Sequence, residues 1–358
     1  MTGENSIWIG IDVGSITCKV LAMDEAGACL SATYRRTNGR VVEAVKDGLE
    51  EIAELLENRP VAGCGTTGSG RQLVGALVGA DVVKNEITAH TRAALALHPD
   101  TRTILEIGGE DSKIVILRDG VPVDFAMNAV CAAGTGAFLD QLAGRLGIAV
   151  TELGDLAMAS AHEVAIAGRC TVFAESDIIF KQQTGHRRED IVAGACRALV
   201  RNYLNDVGKG KTIEPPVLLL GGVATNRGIR EAFVDALDLP IEVPELHNVM
   251  GAYGAALLAR AEGLGRSGMR PLDAIRDSDF RSETFGCTHC PNACEVVRFV
   301  EAGRTIGFLG GRCERWESRV RDGESSATAP ASGQEDRRAG CSGGRPCGSG
   351  LFGHRGDL

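Results

Sequence analysis

The chain has 358 residues, a formal net charge of −9 and twelve cysteines. That negative balance argues against nucleic-acid binding and a membrane-surface role, and no apolar run approaches the roughly 18 residues that a membrane span needs. The length suffices for two domains with ordinary cores, so the cysteines are not needed as disulfide staples. The short polar start, residues 1–6, lacks the pattern of a secretory signal, which predicts a cytoplasmic protein with reduced thiols.

Residues 7–15 read as a buried strand that ends in Asp12 and a glycine turn at Gly14 and Ser15. Residues 17–23 form a second strand, 25–27 a turn, and 29–34 a third strand. The segment 102–126 repeats this plan, with strands at 103–109, 112–117 and 121–126. Asp12 and Glu106 are each followed two residues later by glycine (Gly14, Gly108) and seven later by lysine (Lys19, Lys113). A strand–turn–strand unit recurring 94 residues on predicts duplicated halves, with chance likeness of two β-meanders as the alternative. Between the repeats, 41–57, 68–78 and 86–97 have helical spacing, and 61–64 is a short strand.

After the second repeat, helices are expected from Gly134, over 174–183 and over 189–207. The apolar run 217–220 is a buried strand that ends in Gly221 and Gly222. Asn226 can cap the helix that follows, to about residue 237. A short strand at 240–243 and a small-residue helix at 250–261 complete this part. Beyond residue 263 the composition changes. Cys287, Cys290, Cys294 and Cys313, spaced x2, x3 and x18, form a small cysteine module. From residue 319 the chain is rich in Ser, Gly, Ala and Arg without apolar periodicity, and reads as disordered.

Two cysteines stand apart. Cys131 directly precedes Ala-Ala-Gly-Thr-Gly and a helical pattern through Leu139, Leu142 and Leu146, and Cys170 also precedes a predicted helix. Helix N-termini favour negative charge, whether a thiolate, an anionic cluster or a phosphate. Two such thiols per chain are half of a four-thiolate site, although spacing alone favours two small core residues. Cys18, Cys29, Cys64 and Cys196 read as buried, inert thiols, and Cys341 and Cys347 as incidental. His90, His98, His162, His186 and His247 show no ligand spacing and read as solvated or structural.

The glycine-bearing strand ends, Asp12–Gly14, 108–111 and 221–222, are what a nucleotide cleft needs. Glycines let backbone N–H groups close on phosphate oxygens. Asp12, Glu106 and Asp111 offer carboxylates for Mg²⁺ and for orienting a water, and Lys19 or Lys113 could balance phosphate charge. Neither a G-x-x-x-x-G-K-[ST] loop nor a G-x-G-x-x-G on a βαβ unit is present. The pattern instead resembles the acetate and sugar kinase, heat-shock-70 and actin superfamily. This implies an α/β fold of duplicated actin-like (ribonuclease H-like) halves with ATP between them. Residues 12–17, including Asp12, Gly14, Ser15 and Thr17, then match the first phosphate motif. Residues 108–113, including Gly108, Gly109, Glu110, Asp111 and Lys113, match the second, and 220–226, with Gly221, Gly222 and Asn226, the adenosine motif.

The run 105–113, the approach 125–128 to Cys131 and Gly134-Thr135-Gly136, and Cys170-Thr171-Val172-Phe173-Ala174-Glu175-Ser176 resemble one narrower family. It is the ATPase activators of 2-hydroxyacyl-CoA dehydratases and benzoyl-CoA reductases, and the resemblance runs from about residue 7 to 261. It implies that Cys131 and Cys170 bind one [4Fe–4S] cluster shared across a homodimer. It also implies that ATP and Mg²⁺ drive a low-potential electron from ferredoxin or flavodoxin to an iron–sulfur dehydratase or reductase partner. The turn Gly134–Thr135–Gly136 is the expected coupling point between nucleotide and cluster.

The module at Cys287–Cys313 suggests zinc or a second iron–sulfur cluster, with an unmetallated linker as the alternative. The expected organisation is 1–100 for the first half, with helix 250–262 packing back on it, and 101–262 for the second. Residues 263–318 are the linker and module, and 319–358 the tail. A small-molecule kinase of the same superfamily and an actin-like scaffold are the competing readings. The paired cysteines are unused in both.

Overall fold

The computed structural model describes residues 5–128, 132–167, 170–311, 313 and 316. The first repeat forms β1 (Ile7–Val13), β2 (Thr17–Met23) and β3 (Cys29–Arg36). Then come α1 (Val41–Glu50), α2 (Ala53–Asn58), β4 (Val61–Thr67), α3 (Arg71–Val78), β5 (Val82–Val83) and α4 (Glu86–Leu97). The second repeat gives β6 (Thr103–Ile107), β7 (Ser112–Arg118) and β8 (Val121–Asn128). It is followed by α5 (Gly136–Leu146), α6 (Leu153–Met158), α7 (Thr171–Gln183), α8 (Arg188–Asp206), β9 (Val217–Leu220), α9 (Arg227–Leu237), β10 (Ile241–Glu242) and α10 (Met250–Ala261).

The two halves repeat one topology. The first sheet runs β3-β2-β1-β4-β5 and the second β8-β7-β6-β9-β10. In each, the first three strands pair antiparallel and the last two join in parallel. The seven-residue spacing of carboxylate and lysine now has a physical cause. The first hairpin sets Asp12 opposite Lys19, and the second sets Glu106 opposite Lys113. Opposite charges that face each other across antiparallel strands support that register.

Helices α4 and α10 lie between the sheets. Their Ala93, Ala94, Ala252 and Ala256 share one core with Leu21 and Met23 of the first sheet and Val115 and Leu218 of the second. The fit depends on missing side chains. A Cβ on Gly10 would stand 1.8 Å from the Ala252 carbonyl oxygen, and one on Gly254 1.9 Å from that of Ala89. The outer face of the first sheet is covered by Val45 and Leu49 of α1 with Val74 and Leu77 of α3. The helices α5–α9 cover the outer face of the second.

Two details differ from the expectation. The helical stretch 41–57 is broken into α1 and α2, because Ile52 leaves the helical path to bury itself, 2% exposed, under the sheet. The region after residue 263 contains α11 (Leu272–Arg276) and a three-stranded antiparallel sheet of β11 (Arg281–Gly286), β12 (Glu295–Glu301) and β13 (Arg304–Leu309). Its Ile275, Phe280 and Phe299 join the outer core of the first half. Lys46 on α1 donates to the carbonyls of Arg276 and Ser278. Among the described residues no helix is long and apolar enough to cross a membrane. The tail 319–358 lies outside the described residues.

Candidate functional site

The two hairpin loops face each other across a cleft between the halves. Each loop is closed in the same way: the Gly14 N–H donates to the Thr17 carbonyl at 2.9 Å, and the Gly108 N–H to that of Asp111 at 2.9 Å. They touch, since a Cβ on Gly109 would stand 2.9 Å from a carbon of Ile16. The cleft gathers Asp12, Gly14, Ser15, Thr17 and Lys19 of the first loop with Glu106, Gly108, Gly109, Glu110, Asp111 and Lys113 of the second. Gly221 and Gly222, after β9, form its floor. Gly221 has φ +91°, and a Cβ there would stand 2.2 Å from the Ile107 carbonyl oxygen, so a side chain would be both strained and obstructed.

Neither lysine stands free for phosphate. Lys19 Nζ lies 3.1 Å from Asp12 Oδ2. Lys113, almost wholly buried, reaches Glu86 at 2.6 Å, Asp111 at 2.8 Å and Glu106 at 3.0 Å. Across the cleft five carboxylates, Asp12, Glu86, Glu106, Glu110 and Asp111, outnumber these two lysines. Such a site repels a bare polyphosphate and suits one whose charge is offset by a divalent cation that it brings with it.

The carboxylates divide electrically. Burial pushes the Asp12 carboxyl up, but the charge of Lys19, with His90 and Lys113 behind it, outweighs burial and holds Asp12 below its ordinary value. At Glu106 burial prevails over Lys113, and the carboxyl is raised. Burial and Lys113 together push the His90 imidazole down. The site thus pairs a firmly anionic group with one poised to accept a proton.

Sequence reasoning missed several cleft residues. Glu86 and His90, four apart on α4, both line it, as do Tyr34, His247 and Gly251. His247 Nδ1 lies 3.0 Å from the Gly221 carbonyl oxygen. His90, buried, and His247, partly buried, therefore both face the cleft, and the i,i+4 pair of Glu86 and His90 on α4 was the readable signal. Other expected residues lie outside the lining. Asn226 caps α9, its Oδ1 accepting from the Ile229 N–H at 3.1 Å. Thr135 stands at the N-cap position of α5 without a side-chain capping bond, its Oγ1 donating back to the Ala132 carbonyl at 2.9 Å. The first N–H groups of α5 are already engaged: Gly136 donates to the Gly108 carbonyl at 2.9 Å and Ala137 to that of Gly109 at 2.7 Å. The head of α5 is thus no open anion site, as its sequence suggested, but a brace for the second glycine loop.

Cys131 lies outside the described residues. Cys170 is a free, half-buried thiol at the N-cap of α7. Burial pushes the Cys18 and Cys196 thiols up to about 12, with Asp12 adding to the effect at Cys18, which suits inert groups. Among the described residues, no group of three or more His, Cys, Asp or Glu is arranged to hold a metal ion. Cys287, Cys290, Cys294 and Cys313 are free thiols at one end of the small sheet. Large apolar side chains stand exposed on β8, including Phe125 at 58%, and on α7, including Phe173 at 69%.

A model of the BadF/BadG/BcrA/BcrD ATPase family matches residues 9–259. The (R)-2-hydroxyglutaryl-CoA dehydratase activating ATPase of Acidaminococcus fermentans is 35% identical over 263 residues, covering 70% of this chain and 96% of that one. The 2-hydroxyisocaproyl-CoA dehydratase activator of Clostridioides difficile is 36% identical over 262 residues, covering 70% and 94%. The solved structure of the activator of the 2-hydroxyisocaproyl-CoA dehydratase from Clostridium difficile, with bound ADPNP, is similar at a TM-score of 0.66. It shares 33% identity over 72% of this chain and 95% of that one.

Proposed function

Since the chain belongs to the BadF/BadG/BcrA/BcrD ATPase family, we propose that it is an iron–sulfur activator that spends ATP to deliver a low-potential electron to a 2-hydroxyacyl-CoA dehydratase or benzoyl-CoA reductase-like partner. The observation that carries this reading is the brace between the second glycine loop and the head of α5. A loop that answers to ATP is hydrogen-bonded to a helix that begins five residues after Cys131.

Asp12 and Asp111 would offer carboxylate oxygens, directly or through water, to a Mg²⁺ ion brought by the nucleotide, which would neutralise charge developing on the phosphates. Glu106, raised by burial, takes the proton of the attacking water. Gly14, Ser15, Thr17, Gly108, Gly109 and Glu110 surround the phosphates, and Gly221 and Gly222 the nucleoside. Lys19 holds Asp12 ionised and in place. Cys170 fits a cluster ligand, being a free, half-buried thiol at a helix start, where the macrodipole favours an anionic group. Cys131 and Cys170 of two chains would together hold one [4Fe–4S] cluster, which supplies a one-electron store when bound. The exposed Val121, Val123, Phe125 and Met127 on β8, with Val172 and Phe173 on α7, support a homodimer, since apolar patches of this kind mark contact surfaces. Ferredoxin or flavodoxin is the proposed electron donor.

The test is ATP-dependent reduction of an iron–sulfur dehydratase by the pre-reduced protein, followed alongside phosphate release. Without ATP no electron should pass. Thr135→Val removes the bond to the Ala132 carbonyl, worth about 1 kcal/mol, so electrons delivered per ATP should fall about fivefold while hydrolysis continues. Unchanged coupling in the variant, or electron transfer without ATP, would contradict the reading.

A further inference from the structure

The three-stranded sheet lies beyond the family match, which ends at residue 259. All four cysteines of the module fall at one end of it. β11 ends with Gly286 opposite Glu295, and the ladder continues one step further, with the Cys287 N–H donating to the Cys294 carbonyl at 2.8 Å. Cys287 and Cys294 therefore face each other across the mouth of the hairpin, where opposed residues have Cβ atoms about 5 Å apart. Cys290 lies in the loop between them, its carbonyl accepting from the Ala293 N–H at 3.2 Å. β13 runs antiparallel to β12 and leaves the sheet at this same end. Gly310 passes so close to the start of β12 that a Cβ would stand 2.5 Å from the Glu295 carbonyl oxygen, and Cys313 follows three residues later.

This end of the sheet rests, through Val297 and Leu309, on the outer core of the first half, and has a small cluster of its own. Its buried cluster consists of Cys287, Val296 and Trp316, with Cys294, Phe285 and Phe308 packed at the side. That cluster is too small to fix the cysteine-bearing segments that extend beyond the strands, which is the role a metal takes in small modules. Cys287 is buried and Cys294 half-buried in the cluster with Trp316, whereas Cys290 and Cys313 are exposed, and the four thiols are not drawn together into a metal-holding group in this structure.

We propose that Cys287, Cys290, Cys294 and Cys313 form a four-thiolate site for one zinc ion that locks this end of the sheet. Zn–S bonds of about 2.3 Å in a tetrahedron place the sulfurs roughly 3.8 Å apart, which two cysteines opposed across a hairpin satisfy without moving the strands. The ion gathers the two exposed thiols onto that preset pair. The site uses no residue of the nucleotide cleft and does not depend on the function proposed above.

The test is metal analysis of the full chain, purified under reducing conditions, as wild type, Cys290→Ser, Cys313→Ser and Cys131→Ser. Wild type and Cys131→Ser should each hold about one zinc per chain, and the metal should be lost in Cys290→Ser and Cys313→Ser. Adding Co²⁺ to the metal-free wild type should give the intense visible bands of a tetrahedral four-thiolate site, bleached by equimolar Zn²⁺. Because Cys290 and Cys313 are exposed, circular dichroism of their variants should keep the wild-type helix signal, which separates metal loss from unfolding. Zinc undiminished in both variants, no metal uptake by wild type, a Cys287–Cys294 disulfide under reducing conditions, or iron and sulfide at these thiols would each overturn the proposal.

Discussion

Replacing Lys113 by methionine should destabilise the protein by about 3–5 kcal/mol and abolish ATP hydrolysis. The ammonium is buried and bridges Glu86, Glu106 and Asp111. Removing it leaves three carboxylates facing one another with their desolvation uncompensated. Burial acts to lower the Lys113 pKa, but Glu106, Asp111 and Glu86 together raise it well above its ordinary value. The lysine's contribution is therefore fully present at neutral pH, and is lost as pH climbs through that raised value. In the variant the penalty should shrink as pH falls and Glu106, raised by burial, protonates. The melting temperature at pH 7 should drop by about 4–7 °C, with part of the loss recovered near pH 5. A variant that melts with wild type at both pH values would show that the cluster is not a stabilising network.

Glu106→Gln should separate catalysis from stability. Loss of a positioned general base lowers the rate by about 10²–10⁴-fold. The fold, in contrast, should not suffer. Burial outweighs Lys113 and raises the Glu106 carboxyl, so the fold favours its protonated form relative to the unfolded chain. A carboxyl with a raised folded pKa loses stability as pH rises through that value. The neutral amide escapes this loss, so the variant should match or exceed wild-type stability at pH 7 and above, and the difference should narrow at lower pH. In wild type, ATPase activity should fall off on the acid side at a pH above that of an ordinary glutamate. A variant that hydrolyses ATP at the wild-type rate would transfer the base role to Asp12 or Asp111.

The cleft was legible in the sequence to the extent that its parts lie on one hairpin. A carboxylate, a glycine two residues on and a lysine seven on are all local consequences of a strand, a turn and antiparallel pairing, and both copies folded as read. Glu86 and His90 were not legible because they reach the cleft through the packing of α4 between two sheets, which no local period encodes. The engagement of the α5 head by Gly108 and Gly109 was hidden for the same reason, since nearly thirty residues separate the two partners. The small sheet was masked by its cysteines, although the turn at Ala302 and Gly303, with φ of +49° and +73°, joins two short apolar runs in the manner of a hairpin. The helix cap at Asn226, by contrast, is a local device and stands where its position before an apolar period placed it.

The account stands or falls on a thiolate cluster shared between two chains. The measurement that tests it most directly is iron and sulfide content together with solution mass, after anaerobic reconstitution, for wild type, Cys131→Ser and Cys170→Ser. Wild type should be a dimer with about four irons and four sulfides per two chains, and both variants should lose them while keeping their fold and any zinc. An iron-free wild-type monomer would contradict the activator reading and leave an ATPase whose cleft serves some other transfer.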